Sequence, residues 1–300
     1  SKLYKNQFEV SQTEQKITQK QLIATVKQAY FKWQHQIAYN NLMEKETELY
    51  EEFLRIAKLH FELGESNLLE KTIAETKYAE SQRKTLVAQE QLKVIVNYLN
   101  RCLYSEESYQ PAQQELELYT IKFPEGQDKF YPYTFKEYYE QKTNQKKIEL
   151  KLEKSHLFPE ISAGYFNQSI SPEKNMQGFQ LGISVPLWFA PQASRIKEAS
   201  IKKDMAINEA TLQTYELEQT IDDLKIKLDQ EFINVIYFRE NALTQADLLL
   251  KMATLKLQKE EIEYPEYLQS ITEAMKIKQD YLNSLLNYNL IAVELEYYLN

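Results

Sequence analysis

Glycine and proline are scarce: 5 and 8 respectively in 300 residues. Little along the chain interrupts a helix, so long unbroken helices are expected. The prolines are also unevenly placed, with Pro111, Pro124, Pro132, Pro159, Pro172, Pro186 and Pro191 in the middle third, the one region expected to be non-helical. A single cysteine, Cys102, excludes an internal disulfide and a CxxC metal or redox site. The net charge of −8 and the lack of a clustered basic surface argue against a nucleic-acid partner. Without a run of about 18 apolar residues, no transmembrane helix is available. The opening SKLYKNQFEV lacks the apolar core of a signal peptide.

Catalytic signatures are missing as well. No nucleophile, base and orienter set is visible, no Gly-rich phosphate loop occurs, and Ser184 lies in GIS, not in a nucleophile elbow. His35, His60 and His156 are scattered, with no pair at the i, i+4 spacing of a helical zinc site, and read as packed or surface histidines. The methionines are dispersed, so no thioether copper relay is visible. The chain is therefore expected to be no enzyme and to hold no cofactor or resident metal.

What is present is periodicity. From Lys2 to about Leu63 the pattern is helical, with Leu42, Leu49, Ile56 and Leu63 seven apart and Phe53 and His60 four after two of them. In FELGESN, Gly64 can end that helix and Ser66 or Asn67 can cap the next, which runs from about Leu68 to Leu103. Residues 1–104 thus read as an antiparallel helical hairpin. Residues 105–157 form a linker region, in which LELYTIKF is expected as a short strand and Thr134 to Lys154 as a helix.

The period then changes to two. Ile161, Ala163 and Tyr165 alternate with Ser162 and Gly164; Phe179, Leu181, Ile183, Val185, Leu187 and Phe189 alternate with Gln180, Gly182 and Ser184. Each run is about 10 residues, enough for a tilted β-strand to cross a bilayer. One face of the second strand is apolar and the other small or polar, as lipid on one side and a wet lumen on the other require. Residues 158–190 are predicted to be a transmembrane β-hairpin, with Trp188 and Phe189 in an aromatic girdle. From about Ala193 to Lys259 helix resumes, with Leu243, Leu250 and Leu257 seven apart. A last helix carries Tyr281, Leu285, Tyr288, Ala292, Leu295 and Leu299 at alternating spacings of four and three. Residues 191–300 therefore form a second helical hairpin.

The second half repeats the first. GESNLLE lies over EEIEYPE, and NYLN at Asn97–Asn100 recurs as YYLN at Tyr297–Asn300, a repeat of roughly 200 residues and so a duplicated domain rather than a solenoid. A helix of about 60 residues would be about 90 Å long.

Four stretches, FELGESNLLE, FPEISAGYF, GFQLGISVPLWFAPQASRIKEA and EEIEYPEYLQSITEA, resemble in order and separation the outer-membrane efflux protein family of TolC. The resemblance implies a mainly α fold: long antiparallel coiled-coil hairpins building a periplasmic tunnel, a transmembrane β-hairpin, and a tandem repeat of two strands followed by a helical hairpin. It further implies a homotrimer in the bacterial outer membrane, in contact with lipid and reaching into the periplasm. Its implied partners are a periplasmic adaptor (membrane fusion) protein and an inner-membrane RND pump. The function implied is a passive export conduit. EIEYPEYLQ looks most like the heavy-metal branch, which favours cation cargo. Two departures touch the second tip: Glu260 stands at the usual tip glycine, and Pro265 at a usually aliphatic position. SKLYKN resembles SRIKEA at Ser194–Ala199, so the first repeat begins after the place of its own strand pair, and the chain is expected to be an N-terminally truncated piece of a longer protein.

By the same resemblance, adaptor docking falls on two tips: Gly64, Glu65, Ser66, Leu68 and Glu70 in the first, Glu261, Tyr264, Pro265, Glu266 and Leu268 in the second. Tyr264 and Tyr267 are candidate anchors. The tip carboxylates Glu62, Glu65, Glu70, Glu260, Glu261, Glu263 and Glu266 could form a cation-favouring ring around an axis, or be solvated helix ends. Tyr165, Phe179, Leu181, Ile183, Val185, Leu187 and Trp188 are the candidate membrane-strand residues. A soluble periplasmic coiled-coil scaffold or adaptor is the competing reading. An adaptor would add Gly-rich lipoyl-like and β-barrel segments, and a soluble scaffold gains nothing from a strand pair with a lipid-like face.

Overall fold

The structure, a computed structural model, describes residues 2–105, 107, 109, 115–121, 132–171, 174–185 and 189–299. Its elements run α1 (Lys2–Leu63), α2 (Leu68–Leu103), α3 (Tyr133–Ser155), β1 (Glu160–Ser171), β2 (Lys174–Ser184), α4 (Phe189–Tyr237), α5 (Leu243–Gln258) and α6 (Tyr264–Leu299). A single π-helical turn, Phe238–Ala242, joins α4 to α5. The helical expectations hold to within a few residues. The chain divides into two units: Ser1–Thr18 with Pro132–Gln219, and Gln19–Tyr131 with Thr220–Asn300.

In the first unit α3 is hydrogen-bonded to both its helical neighbours. Thr13 Oγ1 donates to Gln141 Oε1 on α3 at 2.9 Å, Lys136 pairs with Glu218 at 2.6 Å, and Gln192 Nε2 donates to the Glu153 carbonyl at 2.8 Å. β1 and β2 pair antiparallel from Glu160 opposite Ser184 to Ser171 opposite Lys174. The ribbon reaches further towards its turn than the alternation predicts, and β2 ends at Ser184 instead of Phe189. Backbone pairing continues through the polar positions Asn167 and Gln177 because the ladder needs only N–H and C=O groups, not an apolar face. Phe189 opens α4, while Leu187 and Trp188 lie outside the described residues.

The second unit holds the helical hairpins. On α2 the buried positions Ala74, Ser81 and Ala88 are seven apart and small, so α1 comes close enough for side chains to reach main chain across the seam. Thr85 Oγ1 donates to the Met43 carbonyl at 3.1 Å, and Gln36 Nε2 to the Ala88 carbonyl at 3.1 Å. Large α1 residues fill the space the small ones leave: Phe53 and Ala57 are wholly buried, in one cluster with Ala253 and Leu257 of α5 and Tyr267 and Ile271 of α6. Small residues recur on α5, where Ala246 and Ala253 face α6. Leu63, by contrast, ends the predicted heptad row exposed.

The expected strand at LELYTIKF is corrected: Leu116–Ile121 has no strand pairing among the described residues, and Lys122 and Phe123 lie outside them. Asn289 of α6, fully buried, takes the place of a partner strand. Its Oδ1 accepts from the Tyr119 N–H at 2.8 Å and its Nδ2 donates to the Glu117 carbonyl at 2.7 Å. Leu116 and Leu118 pack beside Phe31, Val235 and Leu285. The Tyr119 hydroxyl donates to Glu296 at 2.8 Å and accepts from Lys27 at 2.7 Å, and Lys27 pairs with Glu296. Burial opposes the Lys27 charge, but the Glu296 and Tyr119 hydrogen bonds outweigh it and hold the ammonium above its ordinary value.

Two outcomes follow from this packing. Ala88→Leu overfills the α1–α2 seam and should cost about 1–3 kcal/mol, read as a lower thermal midpoint by circular dichroism. His35, half-buried and 3.1 Å from Asn283 Oδ1, has its imidazole held below the ordinary value by burial, against the opposing Asn283 bond. The unfolded chain then binds a proton that the folded chain refuses, so stability falls as pH drops below about 6.5 towards the folded value. His35→Gln should reduce the fall in thermal midpoint between pH 7 and pH 5.

Candidate functional site

The first tip is closed by backbone chemistry. The Glu65 N–H donates to the His60 carbonyl at 2.9 Å and the Gly64 N–H to the Phe61 carbonyl at 3.1 Å, the paired bonds of a helix end that turns through a left-handed residue. Gly64 supplies that residue at φ +77°, and space for a Cβ is open, so conformation alone selects glycine. Asn67 caps α2, its Oδ1 accepting from the Glu70 N–H at 3.0 Å. The Glu70 carboxylate reaches back to accept from Ser66 Oγ at 2.6 Å and Asn67 Nδ2 at 3.0 Å, a variant of the capping box. Gly64, Ser66 and Glu70 are thus engaged in closing the loop. Glu65 and Leu68 point outward, Leu68 with Leu69 as an exposed apolar pair.

The second tip repeats the two backbone bonds of this closure. Glu260 donates its N–H to the Leu257 carbonyl at 3.1 Å and Glu261 to the Lys256 carbonyl at 2.9 Å. Glu260 adopts φ +60° without being glycine, a backbone state that costs an L-residue about 1–2 kcal/mol. Pro265 falls in the first turn of α6, where its missing N–H has no helical acceptor to lose. Glu266 in that turn complements the helix dipole.

Aromatic packing joins the two tips. Tyr264 stands edge-on to Phe53 at 5.2 Å between centroids, and His60 Nε2 lies 3.8 Å from Glu260 Oε1. The buried Tyr264 hydroxyl has no hydrogen-bond partner among the described residues. Burial, then the carboxylates of Glu70, Glu260 and Glu65, push its pKa up and keep it protonated. Tyr267, one of the two candidate anchors, is wholly buried against Phe53 and belongs to the core; Leu268 is half-buried on the same cluster. Glu62, Glu65, Glu260, Glu261, Glu263 and Glu266 are exposed. Among the described residues no group of three or more His, Cys, Asp or Glu side chains is arranged to hold a metal ion.

In the first unit the strand register puts Ile161 opposite Ile183, Ala163 opposite Leu181 and Tyr165 opposite Phe179. The Tyr165 and Phe179 rings meet at 5.3 Å. This face is open: Ile161, Phe179 and Leu181 are 76%, 85% and 82% exposed, and Ile183 and Val185 are exposed too. On the other face the Phe166 ring covers Gly178, leaving no room for a Cβ there. Among the described residues, no helix is long and apolar enough to cross a membrane.

Solved structures share the fold of this chain. A membrane protein from Pseudomonas aeruginosa superposes with TM-score 0.84 at 14% identity, covering 99% of this chain and 72% of that one. The CmeC outer membrane channel of Campylobacter jejuni gives 0.81 at 14%, covering 99% and 66%, and CusC gives 0.82 at 17%, covering 98% and 71%. This chain has the outer-membrane efflux channel fold. No family model and no curated protein matches it, so the channel fold is evident from backbone geometry and not from sequence identity. The chain spans about two thirds to three quarters of the solved structures it matches.

The strain at the second tip is testable. Glu260→Gly should stabilise by about 1 kcal/mol and Gly64→Ala should destabilise by a similar amount. Both would appear as opposite shifts in the denaturation midpoint. Equal responses at the two positions would contradict the observed backbone.

Proposed function

We propose that this chain is the channel component of a tripartite efflux system, a passive conduit in the bacterial outer membrane that extends into the periplasm. It acts as a homotrimer, docks a periplasmic adaptor by its two tips, and exports substrate on energy supplied by an inner-membrane RND pump. The observation that carries this reading is the ribbon, whose solvent-exposed face of Ile161, Tyr165, Phe179, Leu181 and Ile183 is suited to hydrocarbon and has no use in water. Two strands alone leave edge N–H and C=O groups unpaired in lipid, so ribbons from several copies must join into a closed barrel. The likeness to solved outer-membrane channels over 97% to 99% of this chain supports the same role.

At the tips, Glu65, Leu68, Glu261, Pro265 and Glu266 form the adaptor-facing surface, and Gly64, Ser66, Glu70, Tyr264 and Leu268 hold its shape. The exposed carboxylates there favour cation cargo, heavy-metal ions among them, by raising local cation concentration. No chemistry on the cargo is required of this chain.

Reconstituted in planar bilayers, the full-length protein should conduct ions, and Glu65→Gln with Glu266→Gln should lower its cation-over-anion permeability ratio several-fold. An unchanged ratio would remove the cation preference. Absence of any conductance would remove the channel.

A further inference from the structure

Between α1, α2 and the Leu116–Ile121 segment, within the second unit, lies a cleft of about 670 Å³. Voids left by imperfect packing rarely exceed a water molecule, so a space this large is no packing defect. It is the size at which proteins enclose small molecules.

Its surface is mostly aromatic and aliphatic, and the rings are held in place by the protein itself. Trp33 and Leu99, both buried, share one cluster with Ala29. Tyr30 stands edge-on to Trp33 at 6.1 Å between centroids, and Phe31 holds the Tyr119 ring at 5.4 Å. Buried Gln34 fixes Tyr30 in turn, its Nε2 donating to the phenol oxygen at 3.3 Å. The cleft is therefore shaped before anything enters it.

Charge on this surface is balanced. Lys27 is the one cation on the lining, and it pairs with Glu296 and donates to the Tyr119 hydroxyl at 2.7 Å. Two of its three N–H groups are thus engaged among the described residues, which leaves one donor and no net charge to answer. Glu117, the other ionisable acid or base on the lining, is exposed to water. An ionic guest would be desolvated here without a counter-charge, at a cost its contacts do not return. The cleft between α1, α2 and α6 is a contrast: Glu46, Lys77, Glu80 and Lys84 line it, and such a surface keeps its water.

We propose that the cleft beside Tyr30 and Trp33 binds an uncharged aromatic molecule of about two rings with one hydrogen-bond acceptor, the rings against Tyr30, Trp33 and Tyr119 and the acceptor on Lys27. An aromatic guest is favoured over an acyl chain because fixed ring edges and faces reward another ring, whereas a chain gives up rotamer freedom and gains burial alone. The site stands on the packing of the second unit and does not rest on the channel reading.

Benzophenone tests it: uncharged, two-ringed, with one carbonyl acceptor. Its excited carbonyl takes a hydrogen atom from a neighbouring C–H, and the two carbon radicals then join. Irradiated with the full-length protein in its membrane and mapped by peptide mass spectrometry, it should label residues 26–34 and 99–103. Labelling of the exposed ribbon residues Phe179 and Leu181 reports non-specific partition in the same sample. Excess methyl 2-naphthoate should suppress cleft labelling several-fold and spare the ribbon, while the 2-naphthoate anion and dodecanol should suppress it little. Val26→Phe with Leu103→Phe fills the cleft and should abolish its labelling with helix content and bilayer conductance unchanged; the competition series decides even if that variant fails to fold. Equal suppression by the anion would overturn the uncharged guest, and equal suppression by dodecanol would give the cleft to an acyl chain. No labelling above that of the ribbon would overturn the site. Conductance is read separately, so each of these outcomes leaves the channel reading standing.

Discussion

Close approach between helices at small side chains is the constraint on which this molecule depends. Ala74, Ser81 and Ala88 on α2 leave room for α1 and α2 to bring their main chains within reach of Thr85 and Gln36, and Ala246 and Ala253 on α5 are likewise small and buried. Directional bonds to carbonyls then fix the register, which apolar packing alone leaves free to slide by a heptad. With the register fixed, the tips fall where the two halves can meet: Phe53 reaches Tyr264 and Tyr267, and the ends of both hairpins become one surface.

The two tips share a backbone closure and differ in chemistry. The paired N–H bonds that end α1 reappear at the end of α5, although glycine holds the left-handed position in one and glutamate in the other. Hydrogen-bond geometry at a helix end is satisfied by main chain, so side chains there are free to diverge as long as the local cost stays near a kilocalorie. The second tip thereby gains a carboxylate facing His60 at a position where the first tip has no side chain at all.

Helices and ribbon were legible in the sequence because periods of 3.5 and 2 are carried by large apolar residues, and those rows are intact from Leu42 to Ile56, from Leu285 to Leu299 and from Ile161 to Tyr165. The tips were legible through Gly64, Asn67 and Glu70, whose types suit one local geometry. The ends of the strands were not, because Asn167 to Ser171 pair through backbone with no pattern in their side chains. Nor were the small-residue seams, since alanine and serine spaced by seven do not stand out from solvent-facing residues, nor the burial of Tyr267, whose phenol suits an exposed anchor as well as a core. The network of Lys27, Tyr119, Asn289 and Glu296 joins residues far apart in the chain, and no local pattern announces it.

Asn289 has a consequence for what the chain avoids. Leu116–Ile121 carries a strand-forming composition without strand pairing among the described residues, and its Tyr119 N–H and Glu117 carbonyl would otherwise invite a passing β-edge. One buried amide occupies both groups. In a chain that also exposes a two-stranded ribbon, that single side chain removes a template on which such a ribbon could mispair.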